Sequence, residues 1–382
     1  MIPLAVPNVG SREAEYLAET IRSTFVSTVG PFVTKFEEMV AKAAGTPTAV
    51  ATCSGTTALH AAFMAVGVKR DDLVIAPSLT FIASVNAISH AGAGPWLFDV
   101  SSESWTLNPE LLRTTLRKEI RRDVGGQVIH APSGRRVAAI APVYTLGLPA
   151  DMDAIVDIAR EYGLPIVADG AAALGASYRG RASGALGADL TMYSFNGNKT
   201  VTAGGGGAVV GKPDLVQRVR HLTTTARVGS DYDHDEVGYN YRMTNLEAAV
   251  GCAQMECLDQ FIAAKRRIDQ RYRDSLGGLA QVRAFPQPNW ARSACWFSGV
   301  VLEGDAVCRG ASIRQHLRAS GIDARPFWKP MHLQPPYRDA PRTAQPVAED
   351  IWERVLTLPC STHLTLTEQD YVIAEFKKAL LA

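Results

Sequence analysis

The sequence predicts an α/β protein: a large domain on a mostly parallel sheet, followed by a smaller C-terminal α/β domain. Three observations predict it. Short apolar runs recur through the first two-thirds of the chain, separated by longer stretches whose apolar residues fall at helical spacing. From about residue 245 the pattern turns helical, then mixes strands with helices. The chain has 382 residues, more than one compact core usually holds.

Taken in order, the runs that read as buried strands are TAVATCS (48–54), DLVIAPS (72–78), PWLFDV (95–100), VAAIAPVY (137–144), LPIVADG (164–170), ADLTMYSF (188–195) and GGAVVG (206–211). Between them, TTALHAAFMAVGV, FIASVNAISHAG and ADMDAIVDIAREYG read as helices. LLRTTLRKEIRR (111–122) interleaves arginine with leucine at helical spacing and reads as a solvated helix face. DVGGQVIHAPSGRR (123–136) reads as a turn-rich excursion between elements. NLEAAVGCAQMECLDQFIAAKRRIDQRYRDSL (245–276) predicts one long helix leading into the second domain. The boundary is placed at 250/251, giving a large domain over 1–250 and a smaller one over 251–382. In the latter, ACWFSGVVLEG and SIRQHLRASG read as a strand and a helix, and RPFWKPMHLQPPY (325–337) as a stiff loop closing over something.

Bulk properties narrow the function. With 39 basic and 38 acidic residues the formal net charge is +1, which argues against a general nucleic-acid or anionic-membrane binder. The six cysteines are scattered, without C-x-x-C or histidine at metal spacing, so free thiols in a reducing compartment are expected and no metal site. MIPLAVPNVG lacks the basic start and continuous apolar stretch of a signal peptide. No apolar run approaches the ~18 residues that span a bilayer. A cytoplasmic protein is the expectation.

In a parallel sheet, ligands collect at the carboxyl ends of the strands. After the first run, Ser54-Gly55-Thr56-Thr57 opens a helix. Such a turn is either an ordinary helix cap or a phosphate cradle of free N–H groups, hydroxyls and helix dipole. Asp169 ends the apolar strand LPIVADG, either as a helix cap or as a carboxylate facing a ring nitrogen. Ser194 offers a second hydroxyl, and Lys199 stands five residues on, backed by four glycines, Gly204 to Gly207. A lone lysine in a loop is usually solvated. In this company, the same amine suits a Schiff base with pyridoxal phosphate, whose pyridine nitrogen a buried aspartate keeps protonated.

The segments STFVSTVGPFVTKFEE, CSGTTALH, PSLTFIASVNAI, SFNGNKTVTAGGGG, YDHDEVGYNYRMTNLEAAVGCAQ, RPFWKPMHLQPPY and LPCSTHLT together resemble the DegT/DnrJ/EryC1/StrS family of pyridoxal-phosphate-dependent nucleotide-sugar aminotransferases. SFNGNK with its four glycines, and LTTTARVGSDYDHDEVGYNYRM, are most similar to the branch associated with legionaminic-acid and bacillosamine-type sugars. The resemblance implies the type I aminotransferase fold, with Lys199 as the Schiff-base lysine and Asp169 as partner of the pyridine nitrogen. Gly55, Thr56 and Ser194 would hold the phosphate, and Phe81 would stack on the ring or serve the core. Asn240 would reach the phosphate of a neighbouring subunit, making the protein a homodimer with shared active sites. Arg325 and His332 would approach the sugar nucleotide or serve the fold.

The implied reaction passes an amino group from glutamate to a UDP- or GDP-linked 4-keto-6-deoxy sugar, giving the 4-amino sugar. A 3-amino transfer is the alternative. A dehydratase on the same fold is disfavoured because such relatives replace the lysine by histidine. A regulatory, DNA-binding role is disfavoured by the charge balance. Three positions depart from the family pattern: Ala172 where a polar residue faces the cofactor's phenolic oxygen, Ala168 where an acid is common, and Tyr144 where histidine is usual.

Overall fold

The structure, a computed structural model, describes residues 1–381. Seven strands form the large sheet: β1 (Ala49–Thr52), β2 (Leu73–Pro77), β3 (Gly94–Phe98), β4 (Val137–Ile140), β5 (Val167–Asp169), β6 (Leu190–Ser194) and β7 (Gly207–Gly211). Their spatial order is β3-β2-β4-β5-β6-β7-β1, with β4 joined to β5 by the bridges Ile140–Ile166 and Val143–Asp169. Six strands run the same way. β7 is antiparallel to both of its neighbours, β6 and β1.

Period-2 alternation explains why these runs are almost wholly apolar. On β2, Leu73 and Ile75 face one helical layer while Val74 and Ala76 face the other. A sheet covered on both faces needs apolar residues at every position. The first layer includes Phe36 of the helix Pro31–Ala44 and Ile155 of Met152–Tyr162. The second includes Leu59 of Gly55–Ala65 and Ile88 of Ile82–His90.

A second, antiparallel sheet follows, in the order Val282–Ala284, Ser298–Leu302, Val355–Leu358, Arg325–Pro326. It has its own core, in which Ile268, Ile313 and Phe376 come from the helices Leu258–Leu276, Gly310–Ala319 and Leu366–Leu381. The chain's first residues join this unit: Ile2 bridges to Ile322, and the Leu4 carbonyl accepts the Cys360 N–H at 2.7 Å. All six cysteines are free thiols. No helix among the described residues is long and apolar enough to cross a membrane.

Two sequence expectations are corrected. The long helix expected over 245–276 is two, Asn245–Glu256 and Leu258–Leu276, broken at Cys257. Neither proline nor glycine marks the break. The first helix is buried nearly all round and the second on one face, so each follows its own surroundings; the Cys257 N–H closes a tight turn on the Gln254 carbonyl at 3.0 Å. Likewise, the helix expected over 111–122 spans Pro109–Glu119, and the excursion after it is a hairpin pairing Ile120–Arg122 with Val128–His130. The β-branched residues Ile120, Val128 and Ile129 favour the strand once a partner strand is available.

Phe36 is fully buried and meets the Phe195 ring edge-on, 4.8 Å between centroids. It thus supports the end of β6 from below. Phe36→Ala is expected to lower unfolding free energy by about 3–5 kcal/mol, read as a lower denaturant midpoint at unchanged slope.

Candidate active site

The carboxyl ends of the co-directed strands meet at one edge of the large sheet, where a cavity of about 540 Å³ opens. At the end of β1, the Ser54 hydroxyl accepts the Thr57 N–H at 3.1 Å and caps the helix Gly55–Ala65. The N–H groups of Gly55 and Thr56 lie too early in the helix for a carbonyl partner within it, and both residues line the cavity. The cap does not exclude the cradle: Ser54 does the capping and leaves its two successors at the wall. Ser194, at the end of β6, meets the same helix start. A methyl on Gly55 would stand 3.0 Å from the Ser194 Cβ and 3.3 Å from its hydroxyl.

The glycine run knits these two strand ends together. Gly206 has φ +101°, a left-handed conformation that glycine adopts freely. Its N–H donates to the Cys53 carbonyl at 2.9 Å, and its carbonyl accepts the Phe195 N–H at 3.0 Å. At Gly207 a Cβ would stand 2.5 Å from the Ser54 carbonyl oxygen and 2.7 Å from the Gly55 nitrogen, both backbone atoms. No side chain fits there.

Asp169 ends β5 and is 6% exposed. Its carboxylate accepts the Ser84 hydroxyl at 2.6 Å and the Ala171 N–H at 3.0 Å. Burial raises its pKa, while these two donors and the charge of Lys199 oppose the rise. Lys199 sits deep in the protein, in the turn closed by its N–H on the Asn196 carbonyl at 2.9 Å. Its side chain remains partly accessible where it lines the cavity. The surrounding protein strips water from the amine and brings its pKa down to about 8; the Asp169 charge works in the opposite direction.

Of the other sequence candidates, Phe81 lines the cavity and is 55% exposed, so it is not a core phenylalanine. Arg325 is at the cavity and pairs with Asp323 at 2.8 Å. His332 is not brought there. Its ring is buried between the Ser78 hydroxyl at 2.7 Å and Glu349 at 2.9 Å, tying the 325–337 loop to the end of β2. Asn240 also lies off this cavity, exposed on an arm whose next residue, Tyr241, accepts the Cys53 N–H at 2.8 Å. Tyr144 and Ala172 are both on the cavity wall. Ala172 packs there with Leu146, Trp296 and Phe327, so the wall at that position is apolar.

The 325–337 loop, expected to close over something, brings Phe327 and Trp328 to the cavity. Sequence reasoning missed Ser84, which orients Asp169, and the aromatic residues Trp296 and Phe297 that close the cavity from the second sheet. The signal for the latter was the density of aromatics in CWF, which core packing would equally explain.

A family model for the DegT/DnrJ/EryC1/StrS aminotransferases matches residues 7–377. The chain belongs to that family. It is 36% identical over 387 residues to the GDP-perosamine synthase of Caulobacter vibrioides, covering 100% of this chain and 98% of the relative. It is 35% identical over 378 residues to EpsN of Bacillus subtilis, covering 97% and 94%. Among solved structures, DesV of S. venezuelae superposes with a TM-score of 0.87 at 30% identity, covering 100% of this chain and 99% of that one. The protein is a pyridoxal-phosphate-dependent sugar aminotransferase with the type I aminotransferase fold.

Because Gly207 backs both the Ser54–Gly55 turn and β6, Gly207→Ala is expected to displace that turn and weaken pyridoxal phosphate binding about tenfold or more, from an overpacking penalty of about 1–3 kcal/mol. Titrating the apoprotein with cofactor and following absorbance measures this.

Proposed function

We propose that the chain transfers an amino group from glutamate to C4 of a UDP- or GDP-linked 4-keto-6-deoxyhexose, working as a homodimer with shared active sites. The observation that carries this reading is the deep-set Lys199 amine opposite Asp169, in a cavity with an aromatic mouth. The likeness to GDP-perosamine synthase supports a nucleotide sugar as acceptor. Asn240, exposed and off its own chain's cavity, is free to meet a second subunit. Exposed apolar side chains at Phe25, Val29, Tyr232 and Val237 suit such an interface.

The residues at the cavity fit the cofactor. Gly55, Thr56 and Ser194, which line the cavity, would hold its phosphate with N–H and hydroxyl donors at a helix N-terminus. Asp169, oriented by Ser84, would keep the pyridine nitrogen protonated, and Phe81 would offer a ring face for stacking. When bound, pyridoxal phosphate supplies the electron sink for chemistry at the donor's α-carbon. Lys199 Nζ holds the cofactor between turnovers, takes the α-proton of glutamate, and in the second half-reaction supplies the proton at C4 of the sugar. Arg325 and Trp328 line the cavity and would meet the sugar nucleotide, a guanidinium suiting the diphosphate and an indole the sugar ring. Glutamate and sugar thus use one cavity in turn, and the kinetics are ping-pong.

Incubation with glutamate and a panel of UDP- and GDP-linked keto sugars, followed by mass spectrometry, tests the reading. The 4-keto members are expected to gain an amine; amination of none of them removes the substrate class, and amination of 3-keto members alone moves the transfer to C3. The wild type is expected to be yellow, with borohydride fixing the cofactor mass on Lys199. Lys199→Ala is expected to lose both the colour and at least ~1000-fold in turnover.

Only the neutral amine attacks an aldehyde. Below its pKa of about 8, Lys199 is mostly ammonium. The rate at which apoprotein captures pyridoxal phosphate is therefore expected to rise with pH and level off above about 8. Stopped-flow absorbance reads it, and a profile still climbing at pH 10 would mean an ordinary solvated lysine.

A further inference from the structure

Trp296 is 4% exposed and stands where the second unit meets the loop after β4. Its ring lies under the Lys199 amine, 3.7 Å from Nζ to the ring centroid. Its indole N–H donates to the carbonyl of Asn198, the residue before that lysine, at 2.7 Å. One side chain thus touches both the reactive nitrogen and the backbone that carries it.

The surroundings are built to keep that ring in place. The Trp296 N–H donates to the Leu146 carbonyl at 3.2 Å, and the Ala294 N–H to the Gly147 carbonyl at 3.0 Å. Between and beside these bonds, Leu146 and Cys295 take left-handed conformations, φ 56° and 52°, which non-glycine residues avoid. Such strain persists only where packing over-determines it, and it clusters at functional sites. The Trp296 carbonyl is held in turn by Lys265, 2% exposed, whose ammonium donates to it at 2.9 Å and to the Cys360 carbonyl at 2.7 Å. Phe297 stacks against the indole at 3.8 Å.

We propose that Trp296 is a positioning residue for Lys199: its ring face is the seat of the free ammonium, and its indole N–H sets the turn that aims the amine. The inference rests on the reading of Lys199 as the cofactor lysine. An aromatic face attracts a cation, tryptophan most strongly. Whenever the amine is released from the cofactor it therefore has a defined place to wait, close to where its proton is needed, rather than a range of rotamers. The charged group facing Lys199 from the sheet is Asp169. Ser84 and Trp296 face the site as neutral groups, and Arg325 at the mouth is paired with Asp323. The indole and the Asp169 carboxylate both favour the ammonium, against the desolvation that opposes it.

The test reads Lys199 in the apoprotein, where cofactor loading plays no part. The pH dependence of its acylation by a small anhydride is followed by peptide mass spectrometry in the wild type, Trp296→Leu and Trp296→Phe. The wild type is expected to titrate near 8. Trp296→Leu, apolar but without a π face, is expected to titrate about one unit lower, and Trp296→Phe lower by about half as much. In the holoenzymes, Trp296→Phe is expected to lose about tenfold in kcat with KM for glutamate unchanged, because the aim and proton affinity of the amine are altered and no contact to glutamate is removed. Should Trp296→Leu fail to fold, Trp296→Phe decides alone. A Lys199 titration unmoved or raised in the folded variants, or a loss confined to thermal stability, overturns the proposal. Failure of Lys199 to carry the cofactor would show separately, in the borohydride experiment.

Discussion

The site depends on a balance of charge in a place with little water. Lys199 is surrounded closely enough that its ammonium is disfavoured, and Asp169 opposite keeps that disfavour from running further. The relation is reciprocal, since the lysine's charge holds down a carboxyl that burial would raise. Ser84 and the Ala171 N–H complete the arrangement by occupying the carboxylate with donors, which orients Asp169 and opposes the rise that burial imposes on its pKa.

That balance is possible because the sheet delivers its parts to one edge. Asp169, Ser194 and the Ser54–Gly55 turn each follow a strand running in the same direction. β7 runs the other way, and its reversal has a particular use. The amino end of β7, not its carboxyl end, arrives at the site, bringing the glycine run between β1 and β6. The backbone of Gly206 and Gly207 packs where a Cβ would collide, which draws Ser54, Gly55 and Ser194 into one group of donors.

The second sheet supplies the roof. Arg325, Phe327 and Trp328 come from its edge, and Trp296 from the turn before its central strand. The roof is fastened at several points, including His332 between Ser78 and Glu349 and Lys265 between two carbonyls. A histidine that neighbours cavity-lining residues in sequence thus serves to pin the loop that carries them.

Local chemistry wrote much of this plainly. The seven strands, the acid at the end of VAD, the helix cap at the end of TCS and the lysine before four glycines are each properties of a few adjacent residues, where period, charge and backbone freedom act directly. Composition likewise settled the weak charge bias. The break at Cys257 and the hairpin's first strand, Ile120–Arg122, were not legible, because the helical period continues through both and only packing chooses otherwise. Nor were the direction of β7, the burial of His332, or the meeting of Trp296 with Lys199 across 97 positions of sequence. A side chain's distant neighbours are decided when sheets and helices pack, and no pattern of adjacent residues encodes them.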